Sequence, residues 1–159
     1  MSTVTTNDYI GRTVDLRVWH GGEVSESAEQ LTGALALSGQ AGTITAGLQK
    51  LAQRVYVELL QEVGSEPYFP SRGCSYLTEL RSGAVQTPVE LLNAFARASQ
   101  QLRRVLLVEE SDDMPDDERL GAITVLNVVL AGEVAAVTFS VTSRAGDAAV
   151  YLMPANFTL

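Results

Sequence analysis

Between Gly121 and Ser143 only one residue, Glu133, carries a charge. A strand left bare in water normally keeps charged side chains at its edge, so this stretch has to be packed or covered. Ala122–Ala131 is almost wholly apolar, and Gly132-Glu133 can turn the chain. Over Glu133–Ser143, Ala135, Val137, Phe139 and Val141 alternate with Ala136, Thr138, Ser140 and Thr142. That two-residue period predicts a strand with one face on a core. Arg144-Ala145-Gly146-Asp147 turns the chain again, Ala148–Met153 returns, and Pro154 is expected to end the strand. The region predicts an antiparallel meander.

Helices precede it. From about Thr45 to Val63, Leu48, Leu51, Ala52, Val55, Leu59 and Val63 recur on one helical face, with Gln49, Gln53, Arg54, Glu58 and Glu62 elsewhere around the helix. Thr43 or Thr45 can cap its start, and Gly64 fits the position just past its end. Ser65-Glu66-Pro67-Tyr68-Phe69-Pro70-Ser71-Arg72-Gly73 follows, too rich in proline for regular structure. Its two aromatics predict tight packing on the core or on a partner. A short helix is expected from Ser75 to Arg81, with Leu77 and Leu80 inward, ending at Gly83. Thr87-Pro88-Val89-Glu90 starts another, with Thr87 as N-cap, Pro88 in the first turn and Glu90 completing a capping box. Leu91, Phe95, Ala98 and Leu102 mark its inner face, and Val105–Val108 is expected to be a strand. The acidic run of residues 109–119 reads as a solvated loop.

The order predicts an α+β fold. Two main helices and a short one pack on a three- to four-stranded, mainly antiparallel sheet. Residues 1–42 are assigned to an extended N-terminal arm and residues 43–159 to the folded domain. In the arm, Val14, Leu16 and Val18 alternate in a short strand, and one helical turn is expected near Ala28–Leu37.

The charge balance narrows the partners. With 11 basic and 19 acidic residues and a net charge of −8, the chain has no global attraction for nucleic acid or for an anionic membrane. The first 13 residues lack the basic-then-apolar order of a secretory signal, and no apolar run is long enough to span a bilayer. The expected setting is a cytoplasm. Cys74 is the only cysteine and His20 the only histidine, so no zinc-like ligand spacing is present. A Ser-His-Asp or Cys-His arrangement would have to use His20, which stands next to Gly21-Gly22 and reads as a surface residue at a strand end. Cys74 at a helix start reads as a small buried hydrophobe rather than a nucleophile. Glu58 and Glu62 read as polar-face charges, while Glu66 and Glu79 flank the linker and are the better pair for glycoside cleavage. The acidic run lacks the spacing of a calcium loop, and the glycines match no phosphate-binding pattern. The expectation is therefore no catalytic residue, no cofactor and no metal. A sheet so poor in charge instead predicts one completed or covered by a partner.

Lys50-Leu51-Ala52-Gln53-Arg54, followed by Gly64-Ser65-Glu66-Pro67-Tyr68-Phe69-Pro70-Ser71-Arg72-Gly73-Cys74-Ser75-Tyr76-Leu77, resembles the small baseplate-wedge family of contractile phage tails. Relatives of that family, often labelled lysozyme-like, serve in type VI secretion baseplates. The order of elements matches from about Gly42 to Pro154. The resemblance implies a structural virion protein of the tail baseplate, assembled in the host cytoplasm in multiple ring-like copies. It would bind other wedge proteins and present its sheet to the tail sheath, seeding sheath assembly by strand exchange, with the tail tube as a further candidate partner. The partner-contacting residues it implies are Pro67, Tyr68, Phe69, Pro70, Arg72, Gly73, Arg104, Val137, Phe139 and Val141. Where the family often carries Glu-Pro-Arg, this chain reads Leu102-Arg103-Arg104, so only Arg104 fits. Two alternatives stand beside this reading: a peptidoglycan hydrolase using Glu66 or Glu79, and an adaptor of a non-contractile tail.

Overall fold

The computed structural model describes residues 15–16, 44–131 and 134–156. Two short strands, β1 (Asp15–Leu16) and β2 (Ile44–Thr45), pair antiparallel just ahead of the first helix. The expected helical turn near 28–37, His20 and the Gly132-Glu133 turn lie outside the described residues.

Helix α1 spans Gly47–Leu60 and buries Leu51, Ala52, Val55 and Leu59, the stripe read from the sequence. Its ends differ from expectation. Ala46, not Thr45, holds the N-cap position and makes no side-chain bond there, and Thr43 lies outside the described residues. The Gly47 N–H instead donates to Glu118 Oε1 at 3.2 Å, a carboxylate 71 positions away in sequence. A negative charge there also complements the positive end of the helix. At the other end the helix stops at Leu60, because the Gln61 carbonyl accepts from the Cys74 N–H at 2.9 Å and Glu62 bridges to Cys74. That draws the chain out of helical geometry and leaves Val63 exposed rather than on the core face.

Helix α2 (Tyr76–Arg81) buries Tyr76 and Leu80, with Leu77 partly buried. Helix α3 spans Pro88–Glu109. Its capping box forms as read: Thr87 Oγ1 accepts from the Glu90 N–H at 3.2 Å and Glu90 Oε2 accepts from the Thr87 N–H at 2.9 Å. The expected strand Val105–Val108 is the end of this helix. Leu106 extends the buried stripe of Leu91, Ala94, Phe95, Ala98 and Leu102 by one more turn. Four apolar residues in a row fit either structure, and the continuing stripe decides for helix.

After a turn of 3₁₀ helix at Asp116–Glu118, β3 (Leu120–Ala131), β4 (Val134–Ser143) and β5 (Ala148–Asn156) form one antiparallel sheet in the order β3-β4-β5. β5 runs through Pro154 instead of ending there, which an edge strand tolerates because it has hydrogen-bonding positions with no neighbour. The register of β3 shifts between Leu120 and Ala122 and again between Val125 and Asn127. On the inner face Phe139 pairs with Val125 and Tyr151, and Val137 with Val128 and Met153. An aromatic chain then crosses the layers. Tyr76 meets Phe95 edge-on at 5.6 Å, Phe95 lies 5.1 Å from Phe139, and Phe139 lies 6.0 Å from Tyr151. Val137, Phe139 and Val141 are completely buried in this core. Their assignment as partner contacts is corrected accordingly: the alternation that marks them as strand residues also points them at the helices.

Candidate functional site

Two features stand out from the packed core: a linker that projects aromatics into solvent, and a sheet without charge.

The linker is built from its root. Gly73 has φ +87°, and a Cβ there would lie 2.4 Å from the Gln61 carbonyl oxygen, so only glycine fits. Its N–H donates to Glu58 Oε2 at 2.9 Å. Glu58, expected on a solvated helix face, is 5% exposed. Arg72 Nε lies 3.6 Å from Glu58 Oε1 and donates to Glu109 Oε1 at 3.0 Å. Arg54 donates to the other oxygen of Glu109 at 2.8 Å. Burial pushes the Glu109 carboxyl up, but the bonds from Arg72 and Arg54 outweigh it and hold the group below its ordinary value. The same bond to Glu109 raises the Arg72 guanidinium. Two residues of α1, the linker and the end of α3 are thus joined in one ionic cluster.

Beyond that root the chain makes successive turns, with the Phe69 N–H bonded to the Glu66 carbonyl and the Arg72 N–H to the Phe69 carbonyl. Tyr68 is 85% exposed and Phe69 56%, so these aromatics do not pack on the core. The Arg72 guanidinium sits 5.2 Å from the Phe69 ring centroid and braces it from below. Pro67 and Pro70 are exposed beside them. Arg72 and Gly73 therefore serve as the linker's anchor, while Pro67, Tyr68, Phe69 and Pro70 form its tip. Arg104 is exposed on α3, a separate element.

The sheet is the larger feature. None of β3, β4 and β5 carries a charged side chain. Its outer face presents residues such as Thr124, Val129, Thr138 and Ser140, and Leu126, Val129 and Val134 are 54%, 45% and 45% exposed. Both outer strands are sheet edges among the described residues. A sheet edge without charge or cover is a template for another strand.

The acidic residues have mostly structural partners. Glu118 is buried and holds Lys50 Nζ at 3.0 Å as well as the start of α1. Glu110 accepts from the Leu120 N–H and from Arg144, each at 2.7 Å. The solvated-loop reading is corrected at these two positions and at Glu109, which belongs to α3. Among the described residues no group of three or more His, Cys, Asp or Glu is placed to hold a metal.

The hydrolase candidates do not form a matched pair. Arg97 bonds the Glu79 carboxyl and holds it below its ordinary value, the reverse of what a general acid needs. Glu66 lines a shallow groove with Leu60, Glu62, Leu77 and Arg81. Cys74 is fully buried, and burial pushes its thiol up, away from the nucleophilic thiolate. No helix among the described residues is long and apolar enough to cross a membrane.

The signal for Glu58 was present in the sequence, since it lies three residues past Val55 and next to Leu59, inside the buried arc. Glu118 gave no such signal, because the helix start it caps is remote in sequence. The chain matches no known family, no curated protein and no solved structure.

Proposed function

We propose that this chain is a structural subunit of a phage tail baseplate wedge, which binds other wedge proteins and offers its sheet to the tail sheath as the start of assembly. One observation carries the assembly role: a three-stranded sheet with no charged side chain and, among the described residues, two open edges and a bare outer face. A monomer would normally protect such edges with charge or a covering segment. The braced aromatic tip of the linker supports a second contact, because Tyr and Phe held rigidly in solvent suit an interface anchor. The wedge identity itself rests on the linker's residues and the order of elements, not on the sheet.

The test is reconstitution with the cognate wedge and sheath proteins, followed by light scattering and electron microscopy. A shorter lag, with this protein at one end of each sheath, is the expected result. Thr138→Lys, which puts a charge on the outer face opposite the core side of β4, should remove the effect while leaving the fold intact. Binding to wedge proteins with no influence on sheath would replace this reading with the adaptor of a non-contractile tail.

A further inference from the structure

Nearly every cation among the described residues is held within the molecule. Glu118 holds Lys50, Glu109 holds Arg54 and Arg72, Glu62 holds Arg81, and Glu79 holds Arg97. Arg119 lies among Glu110, Asp112 and Asp116, and Arg144 is bonded to Glu110. Arg103 and Arg104 have no such partner among the described residues and are exposed on α3, away from the buried Leu102 and Leu106. One turn onward stand Leu107, 40% exposed, and Val108, 86% exposed. Helical spacing puts Leu107 beside both arginines and Val108 beside Arg104. Past the helix end, a turn closed by the Met114 N–H on the Ser111 carbonyl sets Asp112 and Asp113 at its two central positions. Both are exposed, and among the described residues Asp112 is paired only by a 3.7 Å contact with Arg119.

The order is two cations, two apolar side chains and two acids. It is symmetric about Val108, with Arg104 four residues before and Asp112 four residues after. A strip of this kind complements itself under a two-fold rotation, where each residue meets the counterpart of its own partner. The net charge of −8 on each copy opposes contact between copies in general, so a contact has to form where opposite charges are locally matched. We infer that this end of α3 is a self-association surface whose occupant is a second copy of the chain in antiparallel orientation. Arg103 and Arg104 of each copy face Asp112 and Asp113 of the other, and the two Val108 side chains are covered between them. Six side chains are few beside the roughly 20–30 residues a side of a standard stable interface, so the association is expected to be weak and reversible. The inference does not rest on the wedge reading: none of these residues lies on the sheet or the linker, and only Arg104 is also among the contacts that the wedge resemblance implies.

Sedimentation velocity of the full chain, over a concentration series reaching the high micromolar range, tests it. The native chain should show a monomer–dimer equilibrium. Arg103→Glu with Arg104→Glu should weaken the dimer by about tenfold or more, and so should Asp112→Arg with Asp113→Arg. All four changes together restore the charge pattern in reverse and keep the net charge at −8, so dimerisation should return. Thermal melts confirm that each variant is folded. A native chain that stays monomeric overturns the inference. So does a four-fold variant that fails to recover the dimer lost in the paired variants, the result expected if the arginines serve an acidic partner of another kind.

Discussion

Alanine at Gly73 would force a Cβ against the Gln61 carbonyl carbon and oxygen, both backbone atoms that cannot swing aside. It would also occupy a left-handed φ that favours glycine. Gly73→Ala is therefore expected to cost more than 2 kcal/mol, roughly the upper part of the range for single changes, read as a lower denaturation midpoint. Glu58→Ala should cost about 1–3 kcal/mol, because it strands the Gly73 N–H and removes one carboxylate facing Arg72. Tyr76→Phe runs the other way. The Tyr76 hydroxyl is buried and has no hydrogen-bond partner among the described residues, so deleting it should be neutral or raise stability by about 1 kcal/mol. At this scale the sequence was readable wherever a residue's role depended on near neighbours. Thr87 and Glu90 cap one another three positions apart and were legible. Glu58, Glu109 and Glu118 act on groups 15 to 71 positions away, so their partners could not follow from charge alone.

Elements were legible in kind and less so in extent. The meander follows from the alternation in β4 and from turn residues that flank it. The helices follow from their stripes. Errors fell where local preference and tertiary contact disagree. Val105–Val108 has the composition of a strand, yet Leu106 completes a helical stripe and the helix runs on to Glu109. Val63 would continue the stripe of α1, yet the bond from Cys74 to Gln61 ends that helix early. Pro154 would end a central strand but is carried inside an edge strand. The partner assignment failed for the same reason in Val137, Phe139 and Val141: strand alternation says that two faces differ, and the packing of α1 and α3 decides which one is covered. Removing the α3 cap should shorten that helix from its exposed end. Thr87→Ala is expected to cost about 1 kcal/mol, with faster amide exchange confined to the first turn.

At the scale of the molecule, ionisable groups on opposite sides of neutrality limit the same fold. Glu109 and Glu79 have folded values below their ordinary ones. For such groups the stabilisation is complete above the unfolded carboxylate value of about 4.3 and is lost as pH falls through the folded value. On the alkaline side, burial pushes Cys74 and Tyr76 upward. Their stabilisation is complete below the unfolded values, about 8.5 for the thiol and about 10 for the phenol, and is lost as pH rises further. The chain should therefore be most stable on a plateau from about pH 5 to 8, with one falling limb at each end. Equilibrium unfolding against pH separates the causes. Glu109→Gln should flatten the acid limb and leave the alkaline limb unchanged, while Cys74→Ala should delay the alkaline fall and leave the acid limb in place. An acid limb that survives Glu109→Gln at full steepness would mean that the cluster joining α1, the linker and α3 does not govern acid unfolding.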